Sequence, residues 1–208
     1  MRKAGVLVVA TRYDAGSHYT YQWARALQEE LARMDHTCIP LDAADLCRAG
    51  SSFADAINCV QYVVFYGHGL TDEWTALPVG SSGSTTPLVN SANASLLGGR
   101  RVFAGCCHSL VQLGQAYAAA FPHGEYIGYS KEFAFEAANH EFFRDVVNNA
   151  VIQFVKGASR QAVVAMLQNA WEGLRDAFGG GGILQHRPNA FEASQDADDN
   201  SKHVGFAP

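Results

Sequence analysis

The residues with the clearest chemical potential are His68, set in Tyr66-Gly67-His68-Gly69, and Cys107, set in Gly105-Cys106-Cys107-His108-Ser109. A neutral thiol is a weak nucleophile, so a cysteine enzyme needs a lowered thiol pKa, a nearby base, or both. An imidazole can take the thiol proton and pass it to a leaving amine. Each motif follows a short apolar run, Tyr62-Val63-Val64-Phe65 in one case and Val102-Phe103-Ala104 in the other. Continuous apolar runs bounded by turn residues read as strands buried on both faces of a parallel sheet, whose carboxyl edge is where open α/β folds hold ligands. If the two strands are neighbours, about 4.8 Å apart, residues just past both ends can flank one scissile carbonyl. Ser109 reads as the N-cap of a helix with the apolar face Leu110, Leu113, Tyr117 and Ala120, which would set Cys107 beside a positive helix end that favours thiolate. The backbone N–H groups of Gly69 and Cys107 could then serve as an oxyanion hole. Alone, each motif has a plainer reading: a histidine between glycines is commonly a turn residue, and free cysteines are commonly inert core residues.

The rest of the chain supplies elements to position such a pair. Gly5 to Ala10 forms a first strand, Trp23, Leu27 and Leu31 recur at helical spacing between Ser17 and Met34, and Thr37 to Leu41 is a strand whose Pro40 suits an edge. Tyr126-Ile127-Gly128-Tyr129 forms another strand. Phe143, Val147, Ala150 and Phe154 share a helical stripe that Gly157 can end, and Ser159 can cap a helix carrying Val163, Leu167, Ala170, Leu174 and Phe178. His203 to Phe206 can close the sheet. Thr71 to Leu97 and Gly179 to Asp199 break the pattern and are expected to be loops, the second a flexible one. Alternating strands and helices predict a mostly parallel sheet of about six strands with helices on both faces.

With 208 residues, 48% of them hydrophobic and 17% charged, the chain suits one globular α/β domain over residues 1–208. A formal charge of −5, with Lys and Arg scattered, argues against direct nucleic-acid binding. No apolar run approaches the roughly 20 residues of a membrane span. The 5 cysteines, 38, 47, 59, 106 and 107, lack paired spacings of a zinc site or disulfide framework, so a reducing cytoplasm is the expected setting. His108, His123, His140 and His186 form no metal-ligand pattern, Gly179 to Gly182 is no phosphate loop, and no metal or cofactor is expected.

Val63-Val64-Phe65-Tyr66-Gly67-His68-Gly69 resembles the strand and His-Gly of caspase-like, clan CD cysteine peptidases, and Val102 to Ser109 resembles their second strand ending in Cys-x-Ser. The pattern is most similar to CHAT-type domains and extends through Leu113 to Tyr117, Tyr126 to Tyr129 and Val155 to Ser159, covering most of residues 5–178. The resemblance implies a caspase-like three-layer sandwich and a cysteine endopeptidase with His68 as acid/base, Gly69 in the oxyanion hole and Cys107 as nucleophile. Cys106 stands where the family commonly has Ala, and Leu110 where it often has Gly. Ser109 selects Cys107, with Cys106 the alternative nucleophile. In relatives that cut after Arg or Lys an acid lines the primary pocket; Glu132, Glu136, Asp72 and Glu73 are candidates here. The family also implies a protein or peptide substrate, a regulatory protein partner and a role in bacterial defence or cell death.

Three other readings compete. Cys107-His108 after a strand also resembles the nucleophile elbow of class I glutamine-amidotransferase-like enzymes, which would leave Gly67-His68-Gly69 unexplained. A catalytically silent caspase-like domain would bind a partner. A flavodoxin-like module would use the glycines as a ligand turn and the cysteines as core.

Overall fold

The computed structural model describes residues 5–42, 52–79 and 84–208; Cys47 lies outside them. Six strands form the main sheet: β1 (Gly5–Ala10), β2 (Thr37–Asp42), β3 (Tyr62–Tyr66), β6 (Arg101–Gly105), β7 (Tyr126–Tyr129) and β8 (Val204–Phe206). Their order is β2-β1-β3-β6-β7-β8, with every pairing parallel except β7 with β8. The remaining strands, β4 (Glu73–Val79) and β5 (Ser84–Asn90), pair antiparallel as a separate hairpin. The α/β class, the sheet of six strands and its mostly parallel sense agree with the sequence reading.

Side chains alternate between two buried faces along each central strand. Val6, Val8, Val64, Tyr66 and Phe103 point to one core, where they meet Trp23, Leu27 and Leu31 of α1 (Ala15–Arg33). Phe143 and Phe154 of α4 (His140–Val155) and Leu167 and Trp171 of α5 (Arg160–Phe178) complete that side. Leu7, Val9, Val63, Phe65, Val102 and Ala104 point to the other core. There they meet Phe53 and Ile57 of α2 (Ser52–Asn58), Trp74 of the hairpin, and Leu113 and Tyr117 of α3 (Leu113–Ala120). The result is three layers, helix, sheet and helix with hairpin.

Helix starts follow capping chemistry. Asp14 caps α1 and Ser17 reciprocates, so two otherwise orphaned N–H groups are satisfied. Ser159 caps α5 by accepting from the Ala162 N–H at 3.2 Å, as its position in the sequence predicts.

Three expectations are corrected. The segment 71–97 is not simply a loop: it holds the β4–β5 hairpin and a 3-10 turn, Ala94–Leu97. The polar segment 179–199 becomes helix α6 (Ala190–His203) from Ala190 onward. Its buried stripe is Ala190, Ala193 and Ala197 with Asn200 and Ser201, small and polar residues that leave little hydrophobic pattern to read. Ser109 is not a helix cap, because α3 starts at Leu113 after a run of turns.

Candidate active site

β3 and β6 are adjacent and parallel, with Tyr66 paired to Gly105. His68 and Cys107 each lie two residues beyond that pair, so they leave the sheet at equivalent positions on neighbouring strands. The chains stay close past the strand ends: a Cβ placed on Gly69 would lie 2.5 Å from the Cys107 carbonyl oxygen and 2.7 Å from the Cys106 sulfur. Only glycine fits there. A Cβ on Gly67 would likewise collide with the Thr11 hydroxyl, where β1 and β3 exit together. Among the described residues, no carbonyl accepts the N–H of Gly69 or of Cys107.

His68 is held from several sides. Its carbonyl accepts from the Thr75 N–H and from the Thr75 hydroxyl, both at 3.0 Å, so hairpin β4–β5 anchors its backbone. Thr75 Oγ1 also hydrogen-bonds the Tyr13 hydroxyl at 2.8 Å, and the Tyr13 ring packs against the imidazole with centroids 5.4 Å apart. Nε2 of His68 lies 2.9 Å from Oδ2 of Asp14. Tyr13, Asp14 and Thr75 were not singled out by sequence. The only local signal was Asp14 three residues before Ser17, which marks a helix start and not a contact with a distant strand.

Strand alternation separates the two cysteines. Cys106 points into the hairpin-side core, is fully buried, and has its thiol pushed well above the ordinary range by burial, with the neighbouring Cys107 adding to the effect. Cys107 points to the opposite face and is partly exposed. Its sulfur accepts from the Phe133 N–H at 3.3 Å. Phe133 is fixed in turn by rings of Tyr129, Trp23 and Trp171, at 4.7, 6.1 and 6.3 Å. Burial raises the Cys107 thiol, the Phe133 N–H partly offsets this, and the charge of Glu132 raises it further. The expected helix end at Cys107 is missing, because Ser109 directs its hydroxyl to the Cys106 carbonyl at 3.3 Å and accepts from the Tyr129 N–H at 3.1 Å. His108 takes a left-handed turn, φ 54°, between them. Among the described residues, no hydrogen bond joins His68 to Cys107.

The acidic candidates fall in different places. Glu132 follows β7 and lines a cavity of about 360 Å³ with His108, Lys131, Asp196, Asp199 and His203. Glu136 is occupied in holding Asn139 and Asn189, at 2.9 and 2.8 Å. Asp72 and Glu73 lie at the start of the hairpin, where the Asp72 carbonyl accepts from the Ser91 N–H. The structure therefore brings Glu132 near enough to Cys107 for its charge to act on the thiol, and ties Glu136 both to Asn139 in its own loop and to Asn189 at the start of α6. A second hollow, about 470 Å³, is lined by Arg12, Tyr13, Asp14, Ala15, His18 and Tyr19 beside His68.

No family model matches this chain, and no curated protein matches it. Fold and site geometry therefore carry the functional reading. Among the described residues, no helix is long and apolar enough to cross a membrane.

Proposed function

We propose that the chain is a caspase-like cysteine endopeptidase, most similar to CHAT-type domains, in which His68 and Cys107 form a catalytic dyad. The observation that carries this reading is the shared register: both residues stand two positions past the Tyr66–Gly105 pair of adjacent parallel strands. The thiol proton of Cys107 passes to His68, and the sulfur attacks the scissile carbonyl carbon to give a tetrahedral intermediate. The N–H groups of Gly69 and Cys107, which no carbonyl among the described residues accepts, meet its oxyanion. The C–N bond breaks as His68 protonates the leaving amine, and water, deprotonated by His68, releases the acyl group from sulfur.

Cleavage of a diverse peptide pool by the purified chain tests this. Cys107→Ala is expected to abolish turnover and His68→Ala to reduce it by about 10²–10⁴-fold, with both variants folded. Turnover unchanged in either variant removes the assignment.

One observation favours a second reading, a silent caspase-like domain that binds a protein partner. The Cys107 thiol is raised rather than lowered and its sulfur is engaged by Phe133. Absence of both turnover and electrophile labelling in the intact chain would select it.

A further inference from the structure

We infer that Asp14 is the positioning carboxylate of His68, holding the ring as the Nε2–H tautomer and leaving Nδ1 as the nitrogen that exchanges a proton. The catalytic consequence rests on the dyad reading above; the placement of the proton on the ring does not.

The carboxylate is itself fixed. Oδ1 of Asp14 accepts from the Ser17 N–H and from the Ser17 hydroxyl, each at 2.7 Å, and the Ser17 hydroxyl oxygen in return accepts from the N–H groups of Asp14 and Tyr13 at 3.0 and 2.9 Å. One oxygen is thus spent on the start of α1, and the other lies 2.9 Å from the buried Nε2 of His68, a close charge contact whose alignment falls short of a hydrogen bond. Burial opposes ionisation of this carboxyl, but the Ser17 hydrogen bonds and His68 outweigh it and hold the group below its ordinary range. It is therefore a carboxylate at neutral pH, able to accept and unable to donate. An anionic oxygen 2.9 Å from Nε2 repels a lone pair on that nitrogen, which favours the proton of a neutral ring there.

The surroundings limit other arrangements. The two Thr75 bonds fix the His68 carbonyl, Tyr13 packs on the ring, and α1 passes so close that a Cβ on Gly16 would lie 3.8 Å from Cε1 and Nε2. Asp14 and His68 come from the ends of β1 and β3, which neighbour each other where the strand order reverses. In open α/β sheets that crevice is the usual place for ligands. A simple surface ion pair is the alternative, since both side chains keep nearly half their area exposed, 44% and 46%. Yet a cap needs only one oxygen, and a short polar side chain such as Ser or Asn supplies it. The second oxygen is what distinguishes Asp here.

The test follows from that division of labour. In Asp14→Asn the amide oxygen keeps the Ser17 bonds, so its NH₂ faces Nε2, which must then accept, and the ring proton moves to Nδ1. Long-range ¹H–¹⁵N spectra of the His68 ring in the full chain, at a pH where the ring is neutral, read the tautomer directly. The expected result is Nε2–H in the native chain, Nδ1–H in Asp14→Asn, and a mixture in Asp14→Ser, which retains the cap but has no carboxylate. For peptide cleavage, kcat in Asp14→Asn is expected to fall about 10²-fold or more with KM within a few-fold, the pattern of a misplaced proton. An Nδ1–H ring in the native chain, an unchanged tautomer in Asp14→Asn, or a tautomer switch with kcat unaltered overturns the inference. If the tautomers behave as expected but the native chain cuts no peptide, Asp14 still positions His68 and the peptidase reading is what fails.

Discussion

Cys106 and Cys107 are adjacent in sequence and opposite in environment, because successive residues leaving β6 point to different faces of the sheet. Iodoacetamide should therefore modify Cys107 in the native chain and leave Cys106 untouched until unfolding, as peptide mapping can show. Burial and Glu132 raise the Cys107 thiol, so the thiolate fraction, and with it the labelling rate, should still be climbing above pH 9. A rate that levels off near neutral pH would contradict that environment. Gly69→Ala should destabilise the fold by about 1–3 kcal/mol in denaturant titration, since its methyl would press on the Cys107 carbonyl at 2.5 Å. At this scale the sequence was informative about His68 and Cys107, whose strands and flanking glycines are local signals. It was silent about Asp14 and Thr75, whose roles arise only when β1 and the hairpin are placed beside β3. Ser109 misled because a serine before an apolar stretch looks like a cap, and its hydroxyl is instead used between β6 and β7.

Two elements missed in the sequence turn out to brace the site. The hairpin β4–β5 grips the His68 carbonyl, and α6 holds the loop that carries Phe133. That grip is a two-way bond between Asn200 and Ala134: the Asn200 amide donates to the Ala134 carbonyl at 2.7 Å, and the Ala134 N–H donates to Asn200 Oδ1 at 3.2 Å. Asn200 is fully buried, so Asn200→Ala should cost about 2 kcal/mol in chemical denaturation by leaving both backbone groups unpaired; a cost near zero would remove that brace. On the same helix the Asp196 carboxyl is pushed up to about 6 by burial first, then by Glu136, Asp199 and Glu192. Its folded pKa exceeds its unfolded value, so folding favours the protonated form, and stability is lost as pH rises through about 6. Asp196→Asn should raise the thermal midpoint at pH 8 by a few degrees, about 1 kcal/mol after allowing for solvent screening, and leave it nearly unchanged at pH 4. Helix α6 was illegible because alanine packing closely on its neighbours carries no hydrophobic stripe, and the hairpin because Gly, Ser and Thr dominate its segment.

Across the whole molecule, one sheet supports two cores, and the strands that were easiest to read are the ones buried on both faces. Because both cores share those strands, far-ultraviolet circular dichroism and tryptophan fluorescence should report one coincident unfolding transition. Strand order, which the linear pattern does not encode, is what brings His68 and Cys107 to equivalent positions on β3 and β6 and sets Asp14 beside His68. That convergence, together with the resemblance of the two strand-end motifs to those of caspase-like peptidases, is the ground for proposing a peptidase. The most direct measurement of the proposal combines turnover and labelling. Native, Cys106→Ala, Cys107→Ala and His68→Ala chains are incubated with a diverse peptide pool, then with a peptidyl electrophile, and the modified residue is located by mass spectrometry. The expected result is cleavage and labelling at Cys107 in the native and Cys106→Ala chains, and loss of cleavage in the other two. Cleavage that survives Cys107→Ala, or a folded native chain that neither cuts peptides nor reacts at Cys107, would contradict the proposal.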